Sequence, residues 1–151
     1  MSNLLKSRIQ EDMKTAMREK DQTRLATIRM LWAAVRQVEI DQRITLDDTQ
    51  TLAVIEKLIR QRQDSITQFA AAKRDDLVQK ETKEVQILKA YLPEQLEKEQ
   101  VEEIIAAAIK TTNATTIKDM GKVMAEVKPK LQGRADMGEA SNRIKTLLQQ
   151  N

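Results

Sequence analysis

The sequence contains no cysteine and no histidine, and each absence excludes a class of chemistry. Without cysteine the chain has no disulfide and no thiolate nucleophile, and without both residues it has no Cys/His zinc site. Without histidine it has no imidazole to act as a general acid or base. Catalytic triads, phosphate-binding glycine loops and dinucleotide-binding glycine patterns are absent as well. We therefore predict no catalytic residue, no metal site and no cofactor, and we interpret the many carboxylates as solvated helix faces.

Glycine, proline and aromatic residues are scarce. The three glycines and two prolines all lie beyond residue 90, so the first 92 residues contain no helix breaker. Aromatic residues make up 2% of the chain, and seven methionines must help the aliphatic side chains to fill the core. No segment holds the roughly 20 apolar residues of a membrane span. We therefore expect no membrane association and no signal peptide. With no cysteine present, we also expect a reducing compartment, the cytoplasm.

Apolar residues recur at intervals of three and four, which predicts helices throughout and no strands. The predicted fold class is therefore all-α. Pro93 is the first helix breaker, and we place a domain boundary there. The predicted organisation is an N-terminal four-helix unit, residues 1–92, followed by a small three-helix C-terminal domain, residues 93–151.

Capping residues predict where the N-terminal helices begin. Asp21 is a candidate N-cap for the second helix, and Thr45 followed by Asp48 is close to a capping box for the third. Asp75 or Asp76 is the candidate cap of the fourth helix. The predicted helices of this unit span residues 2–20, 21–41, 46–73 and 75–92.

The C-terminal domain contains further helix signals. Thr116 and Asp119 are close to a capping box that begins the sixth helix. Pro129 is expected to end or kink that helix. Gly133 is a candidate left-handed stop, and Asp136 is a candidate start for the seventh helix.

Arg62 lies between Ile59 and Ile66 along one predicted helix face. Such an arginine is suited to a buried ion pair with a carboxylate of the next helix, either Glu81 or Glu84. The alternative is a contact with RNA. We favour the structural ion pair.

The segment from residue 117 to the end carries seven basic and four acidic residues. Lys118 and Lys122 are four apart and therefore share a helix face. Such a cluster holds phosphates by charge and hydrogen bonding without reading base sequence. A solvated, solubilising surface is the alternative, and composition alone favours it. The scarcity of aromatic residues argues against single-strand readout by base stacking.

An ordered series of segments is similar to the GatB/YqeY family, and the chain resembles that family over essentially its whole length. The segments after residue 117 are the most specific of the series. The segments that carry the resemblance are RLATIRML (24–31), RQDSI (62–66), KE (80–81), EV (84–85), YLPEQL (91–96), KDMGKVM (118–124), PKL (129–131) and GRAD (133–136).

The resemblance implies a helical N-terminal domain and a small helical tail domain. The region is also similar to the C-terminal tail of GatB, a subunit of the glutamine-dependent aspartyl/glutamyl-tRNA amidotransferase, whose tail grips tRNA while the chemistry occurs elsewhere. Because this chain lacks the kinase portion of GatB, the resemblance implies carbon–nitrogen ligase activity, with glutamine as amide donor, only within a complex. The motif matches imply a tRNA-facing role for Lys122, Pro129, Lys130, Gly133 and Arg134.

Two departures from the family pattern stand out. Many members have a glycine directly after the GRAD motif, whereas this chain has Met137 before Gly138, which alters a candidate phosphate-binding turn. Members often have a glycine near residues 72–74, and this chain has none there. Gly121 costs its helix about 1 kcal/mol relative to alanine, and we favour tight helix packing over close approach of RNA as its explanation.

The sequence thus predicts an accessory protein that binds tRNA or another RNA and has no catalysis of its own. An amidotransferase or another translation-related protein is the expected protein partner. Two alternatives stay open: a protein-interaction module that docks through an apolar helix groove, and a non-catalytic subunit of a glutamine-dependent amidotransferase. The predicted RNA-binding residues are Lys118, Lys122, Lys128, Lys130, Gly133, Arg134 and Arg143.

Overall fold

The structure, a computed structural model, describes residues 3–149, and these residues contain no β-strand. The all-α prediction is confirmed. The chain divides into two compact units, one ending at Leu92 and the other beginning at Pro93. The helices of the first unit are α1 (Leu4–Arg18), α2 (Gln22–Gln42), α3 (Asp48–Ala71) and α4 (Asp75–Lys89). Those of the second unit are α5 (Lys98–Thr112), α6 (Met120–Leu131) and α7 (Met137–Gln149), with a 3-10 turn (Ile117–Asp119) ahead of α6.

The starts of α2 and α3 show how local capping sets the helix boundaries. Asp21 is the N-cap of α2, as predicted, and its carboxylate accepts a hydrogen bond from the backbone N–H of Arg24 at 3.2 Å. The capping box of α3 is two residues later than predicted, because Asp47 and Gln50 exchange side-chain and backbone hydrogen bonds. Thr45 therefore lies outside the box. The predicted start of the first helix at residue 2 lies outside the described residues.

The start of α4 differs from the prediction. Arg74 occupies the N-cap position, and its side chain makes no capping hydrogen bond. Asp75 and Asp76 both lie in the first turn, where carboxylates suit the positive end of the helix dipole. Asp76 also pairs with Arg74 at 3.1 Å. The helix ends at Lys89, three residues before the predicted end at Leu92.

The core of the N-terminal unit is aliphatic apart from one ring. Tyr91 is 4% exposed, whereas Trp32 and Phe69 are half-buried. The Tyr91 hydroxyl donates a hydrogen bond to Asp12 at 2.7 Å, and the Arg8 guanidinium lies 4.8 Å from the ring centroid. The buried cluster comprises Ile9, Ile28, Leu31, Val35, Leu46, Ile55, Ile59, Val85, Leu88 and Tyr91.

Arg62 forms the ion pair that its position predicts. Its Nε lies 3.0 Å from a carboxylate oxygen of Glu84 and 3.9 Å from one of Glu81, so the guanidinium joins α3 to α4. The remaining donors contact the Leu58 carbonyl, at 3.2 Å, and the Met30 sulfur. Burial and the neighbouring Glu84 raise the pKa of Glu81. These contacts within the protein explain the position of Arg62, so the alternative of a contact with RNA is not needed.

Glu39 is the most heavily engaged carboxylate of the N-terminal unit. Its side chain is 5% exposed and accepts hydrogen bonds from Lys6 of α1 at 2.5 Å and from Arg36 of α2 at 2.8 Å. It also accepts the backbone N–H of Leu46, ahead of α3, at 2.9 Å. The Lys6 and Leu46 hydrogen bonds outweigh burial and lower the pKa of Glu39 to about 2. One carboxylate therefore ties α1 and the loop before α3 to α2.

The C-terminal unit packs its three helices around a second aliphatic core. Asp119 accepts the backbone N–H groups of Thr115 and Thr116, so the predicted capping box is present, but it begins the 3-10 turn, and α6 begins at Met120. Asp136 accepts the backbone N–H of Glu139 at 3.0 Å, which confirms the predicted start of α7. Pro129 does not end α6, since the helix continues to Leu131. The buried cluster comprises Ile105, Ala108, Ala114, Val123, Val127, Leu131, Ala140, Ile144 and Leu148.

Several chain turns adopt the left-handed conformation that favours glycine. Gly133 has φ of 79°, as predicted for a left-handed stop. Lys73, after α3, has φ of 58°, and it lies where family members often have glycine. The other described residues of this kind are Lys20, Arg43 and Asn113.

Replacing Lys73 with glycine is expected to raise the free energy of unfolding by about 0.5 to 1 kcal/mol, because glycine adopts φ of 58° without a Cβ penalty. Urea denaturation of the full chain measures the change. Lys73→Gln is the control, since it removes the charge and keeps the strain. A glycine variant no more stable than the glutamine variant would contradict the prediction.

Replacing Glu39 with glutamine is expected to lower the free energy of unfolding at pH 7 by about 2 kcal/mol. Because the folded pKa of about 2 lies below the usual 4.5, the contribution is complete above that usual value and is lost as pH falls toward 2. The difference between wild type and Glu39→Gln should therefore shrink between pH 5 and pH 2. Urea denaturation at several pH values tests this, with exposed Glu11→Gln as control. Equal stability of the two variants at pH 7 would disprove it.

Candidate nucleic-acid interface

The α6 helix turns one face to the core and the opposite face to solvent. Val123, Val127 and Leu131 are fully buried at intervals of four residues. At about 100° per residue, Lys122 and Ala125 fall on the other side of the helix. We call this exposed surface, together with the turn ahead of α6, the lysine face. Its residues are Lys118, Gly121, Lys122, Ala125, Lys128 and Pro129.

The positive charges of the lysine face are largely uncompensated. Lys118 and Lys128 form no ion pair with any residue from 3 to 149. Lys122 lies 3.5 Å from Asp119, and its side chain is 66% exposed. The Asp119 carboxylate accepts the backbone N–H groups of Thr115 and Thr116, which lower its pKa, so it is chiefly a helix cap. The face therefore offers three lysines to solvent.

Gly121 lies among these lysines, and nothing in the described chain packs against it. A Cβ built on this glycine meets no atom within 4 Å. The expectation that Gly121 permits tight helix packing is therefore wrong for the described residues. Gly121 and Ala125 leave a shallow strip of backbone between longer lysine side chains, with room for an approaching group.

We leave Lys130 out of the lysine face because its charge is paired. It lies on the opposite flank of α6 from Lys128, about 200° around the helix, and about 80° from Lys122. Its ammonium lies 3.4 Å from Glu126 in an exposed pair that contributes little to stability. Of the four lysines predicted between residues 118 and 130, Lys118 precedes α6 and Lys122 lies on its outer side. Lys128 and Lys130 lie on the two flanks of that side.

Gly133 and Arg134 perform a structural task in the loop between α6 and α7. Gly133 is buried, and its carbonyl accepts a hydrogen bond from the Gln95 amide at 2.7 Å. The Arg134 carbonyl accepts the backbone N–H of Leu96 at 2.8 Å. The Arg134 Nε lies 3.4 Å from the Glu94 carbonyl. These bonds tie the segment before α5 to this loop, so the GRAD motif is explained without a phosphate.

Arg143 lies beside Arg134 in a cleft of about 550 Å³ near the start of α7. Its Nε lies 2.7 Å from a carboxylate oxygen of Glu102. Three basic and three acidic side chains line the cleft, so it has no excess positive charge for a phosphate. The charged lining residues are Lys98, Glu102, Arg134, Asp136, Glu139 and Arg143.

The predicted set of seven residues therefore separates into two groups. Lys118, Lys122 and Lys128 form the lysine face, and the other four lie at its edge or near the cleft. Sequence reasoning missed Ala125, although a small residue four after Gly121 is a visible signal for an open strip. In the described part of the chain, no cluster of carboxylates is placed to hold a metal ion. No helix there is long and apolar enough to cross a bilayer.

The described chain consists of two helical units and belongs to the class of small all-α proteins, and its second unit carries the exposed lysine face. The YqeY-like protein family matches residues 6–148, and the chain belongs to this family. The GatB/YqeY resemblance is therefore confirmed at the level of the family.

Relatives of the chain carry the name altered inheritance of mitochondria protein 41, mitochondrial. The Eremothecium gossypii protein is 44% identical over 85 residues, 56% of this chain and 46% of that protein. The Pyrenophora tritici-repentis protein is 30% identical over 135 residues, 88% of this chain and 74% of that protein. The Saccharomyces cerevisiae protein is 33% identical over 127 residues, which are 80% of this chain and 69% of that protein. The match spans about half of the first of these relatives.

These names contradict the cytoplasmic location predicted from the sequence, which is wrong because the relatives are mitochondrial proteins. The prediction rested on the absence of cysteine and of an apolar run. Neither feature distinguishes one reducing compartment from another.

Alanine at Gly121 and alanine at Gly133 are expected to change stability in opposite directions. Gly121→Ala should raise the free energy of unfolding by up to about 1 kcal/mol, because helix propensity improves and the Cβ meets no atom. Gly133→Ala should lower it by about 1 to 2 kcal/mol, because φ of 79° disfavours a Cβ. Thermal and urea unfolding of the full chain measure both. Destabilisation by Gly121→Ala would show that this glycine is needed for folding.

Proposed function

We propose that this protein binds RNA of the tRNA class through the lysine face of α6 and acts as an accessory without catalysis of its own. The observation that carries the proposal is the group of three exposed lysines, two of them without an ion pair in the described chain. Ammonium groups on one helix face hold phosphates by charge, which supplies affinity without sequence readout.

The open strip at Gly121 and Ala125 supports the same proposal. A glycine in a helix costs about 1 kcal/mol relative to alanine, and no internal contact requires this one. A ligand that approaches the helix backbone does require it, because a Cβ would hold a phosphate or ribose away from the flanking lysines. Lys118 is three residues before Gly121 and Lys128 is three residues after Ala125, so each lies about one helical turn from this strip.

Family membership supports RNA as the ligand. The KDMGKVM segment of the lysine face is among those that resemble the C-terminal tail of GatB, a tail that grips tRNA. As an accessory, the protein would bring its RNA to an enzyme, and the same resemblance makes an aspartyl/glutamyl-tRNA amidotransferase or another translation-related protein the partner to test. The names of the relatives support a mitochondrial setting.

Replacing Lys118, Lys122 and Lys128 together with glutamine is expected to weaken tRNA binding strongly. The slope of log affinity against log salt should become shallower by about 2 to 3, because each lost phosphate contact removes about 0.7 to 0.9. Fluorescence anisotropy of labelled tRNA between about 50 and 200 mM salt measures affinity and slope.

The matched control replaces Lys98, Lys110 and Lys145 with glutamine, which removes the same charge from the same unit. We expect this control to retain most of the affinity. Equal losses in the two triple variants would mean that net charge, not the lysine face, drives binding. Absence of binding at low salt would reject RNA as the ligand, and co-purification after nuclease treatment would then test the protein-interaction alternative.

A further inference from the structure

The α2 helix of the N-terminal unit carries a row of arginines. Arg29 and Arg36 are seven residues apart, two helical turns, so they lie on one side of α2 about 10.5 Å apart. Arg43 follows seven residues later as the left-handed C-cap residue at the end of α2. Arg29 and Arg43 are exposed, and the side chain of Arg36 is 54% exposed. The row is about 21 Å long, which is enough to meet several phosphates of one strand. None of these arginines belongs to the lysine face.

The arginine row keeps its positive charge. Arg29 and Arg43 form no ion pair with any residue that the structure describes. Arg36 pairs with Glu39, but Lys6 binds the same carboxylate, so two cations oppose one anion there. The pair engages one nitrogen of the Arg36 guanidinium, and the side chain is still 54% exposed. Less conformational entropy is then lost when a ligand binds.

The only tryptophan of the chain lies within this row. Trp32 is three residues after Arg29 and four before Arg36, so all three side chains are neighbours on the surface of α2. The ring packs against the core and is half-buried, with part of it open to solvent. Arginine guanidinium groups beside an aromatic ring suit a polyanion that also carries flat bases.

We propose that Arg29, Trp32, Arg36 and Arg43 form a second RNA-contact surface, which holds phosphates through the arginines and places Trp32 against the ribose or a base. The inference rests on the proposed RNA-binding function and adds the N-terminal unit to it. Guanidinium groups match phosphates in a bidentate manner, and Trp32 provides a face that a purely acidic peptide would not use.

The test uses the full chain with Arg29 and Arg43 replaced by glutamine, which leaves the Arg36–Glu39 pair intact. The matched control replaces exposed Lys57 and Arg60 of α3 with glutamine. Anisotropy of labelled tRNA gives affinity and salt slope, and Trp32 emission, the only tryptophan signal, reports contact at α2. Thermal unfolding checks that both variants are folded.

We expect Arg29→Gln/Arg43→Gln to bind tRNA more weakly than the control and with a salt slope shallower by about 1.4 to 1.8. Trp32 emission should change as tRNA binds the wild type. If tRNA binds through the lysine face but the arginine variant matches its control, or Trp32 emission stays constant, the second surface is rejected while the proposed function stands. If tRNA does not bind at all, both fail. If an acidic peptide such as polyglutamate displaces tRNA when its carboxylates match the tRNA phosphates in concentration, the surface is not specific for RNA.

Discussion

The Glu39 carboxylate is almost fully removed from water and is nevertheless kept ionised by three donors from three parts of the chain. A buried carboxylate is costly unless such donors are present, so Lys6, Arg36 and the Leu46 amide must all reach it. This requirement fixes α1 and the loop before α3 against α2. It also positions the guanidinium of Arg36, one member of the exposed arginine row.

The C-terminal unit depends on backbone hydrogen bonds in a comparable way. The carbonyl oxygens of Gly133 and Arg134 accept hydrogen bonds from the Gln95 side-chain amide and the Leu96 backbone N–H. The left-handed conformation of Gly133 makes that geometry accessible. The GRAD motif therefore has a folding role. The charges that remain available to a polyanion lie elsewhere, on the outer side of α6, where lysines extend past the open position at Gly121.

Local rules predicted much of the fold. Asp21, Asp136 and Gly133 behave as their residue types suggest, because capping and left-handed turns depend on a few neighbouring atoms. The start of α3 was misplaced by two residues, since Thr45, Asp47 and Asp48 all have side chains able to cap. Only the packing of Leu46 into the core decides among them. For the lysine face, helical spacing linked Lys118 to Lys122 but did not show that Lys130 pairs with Glu126, whereas Lys118 and Lys128 pair with no described residue.

The sequence by itself determined that the chain is helical, where α2 and α7 begin, and that Arg62 is suited to pair with a carboxylate of α4. The first two properties follow from periodicity and from interactions between residues close in the chain, and the third follows from a cation placed between apolar residues of one helix face. Only the tertiary structure decided which cations are already paired, that Gly121 faces open space and that the GRAD carbonyls are occupied. Those properties depend on which distant side chains and backbone groups meet in space, and residue spacing along one helix carries no information about the groups of another.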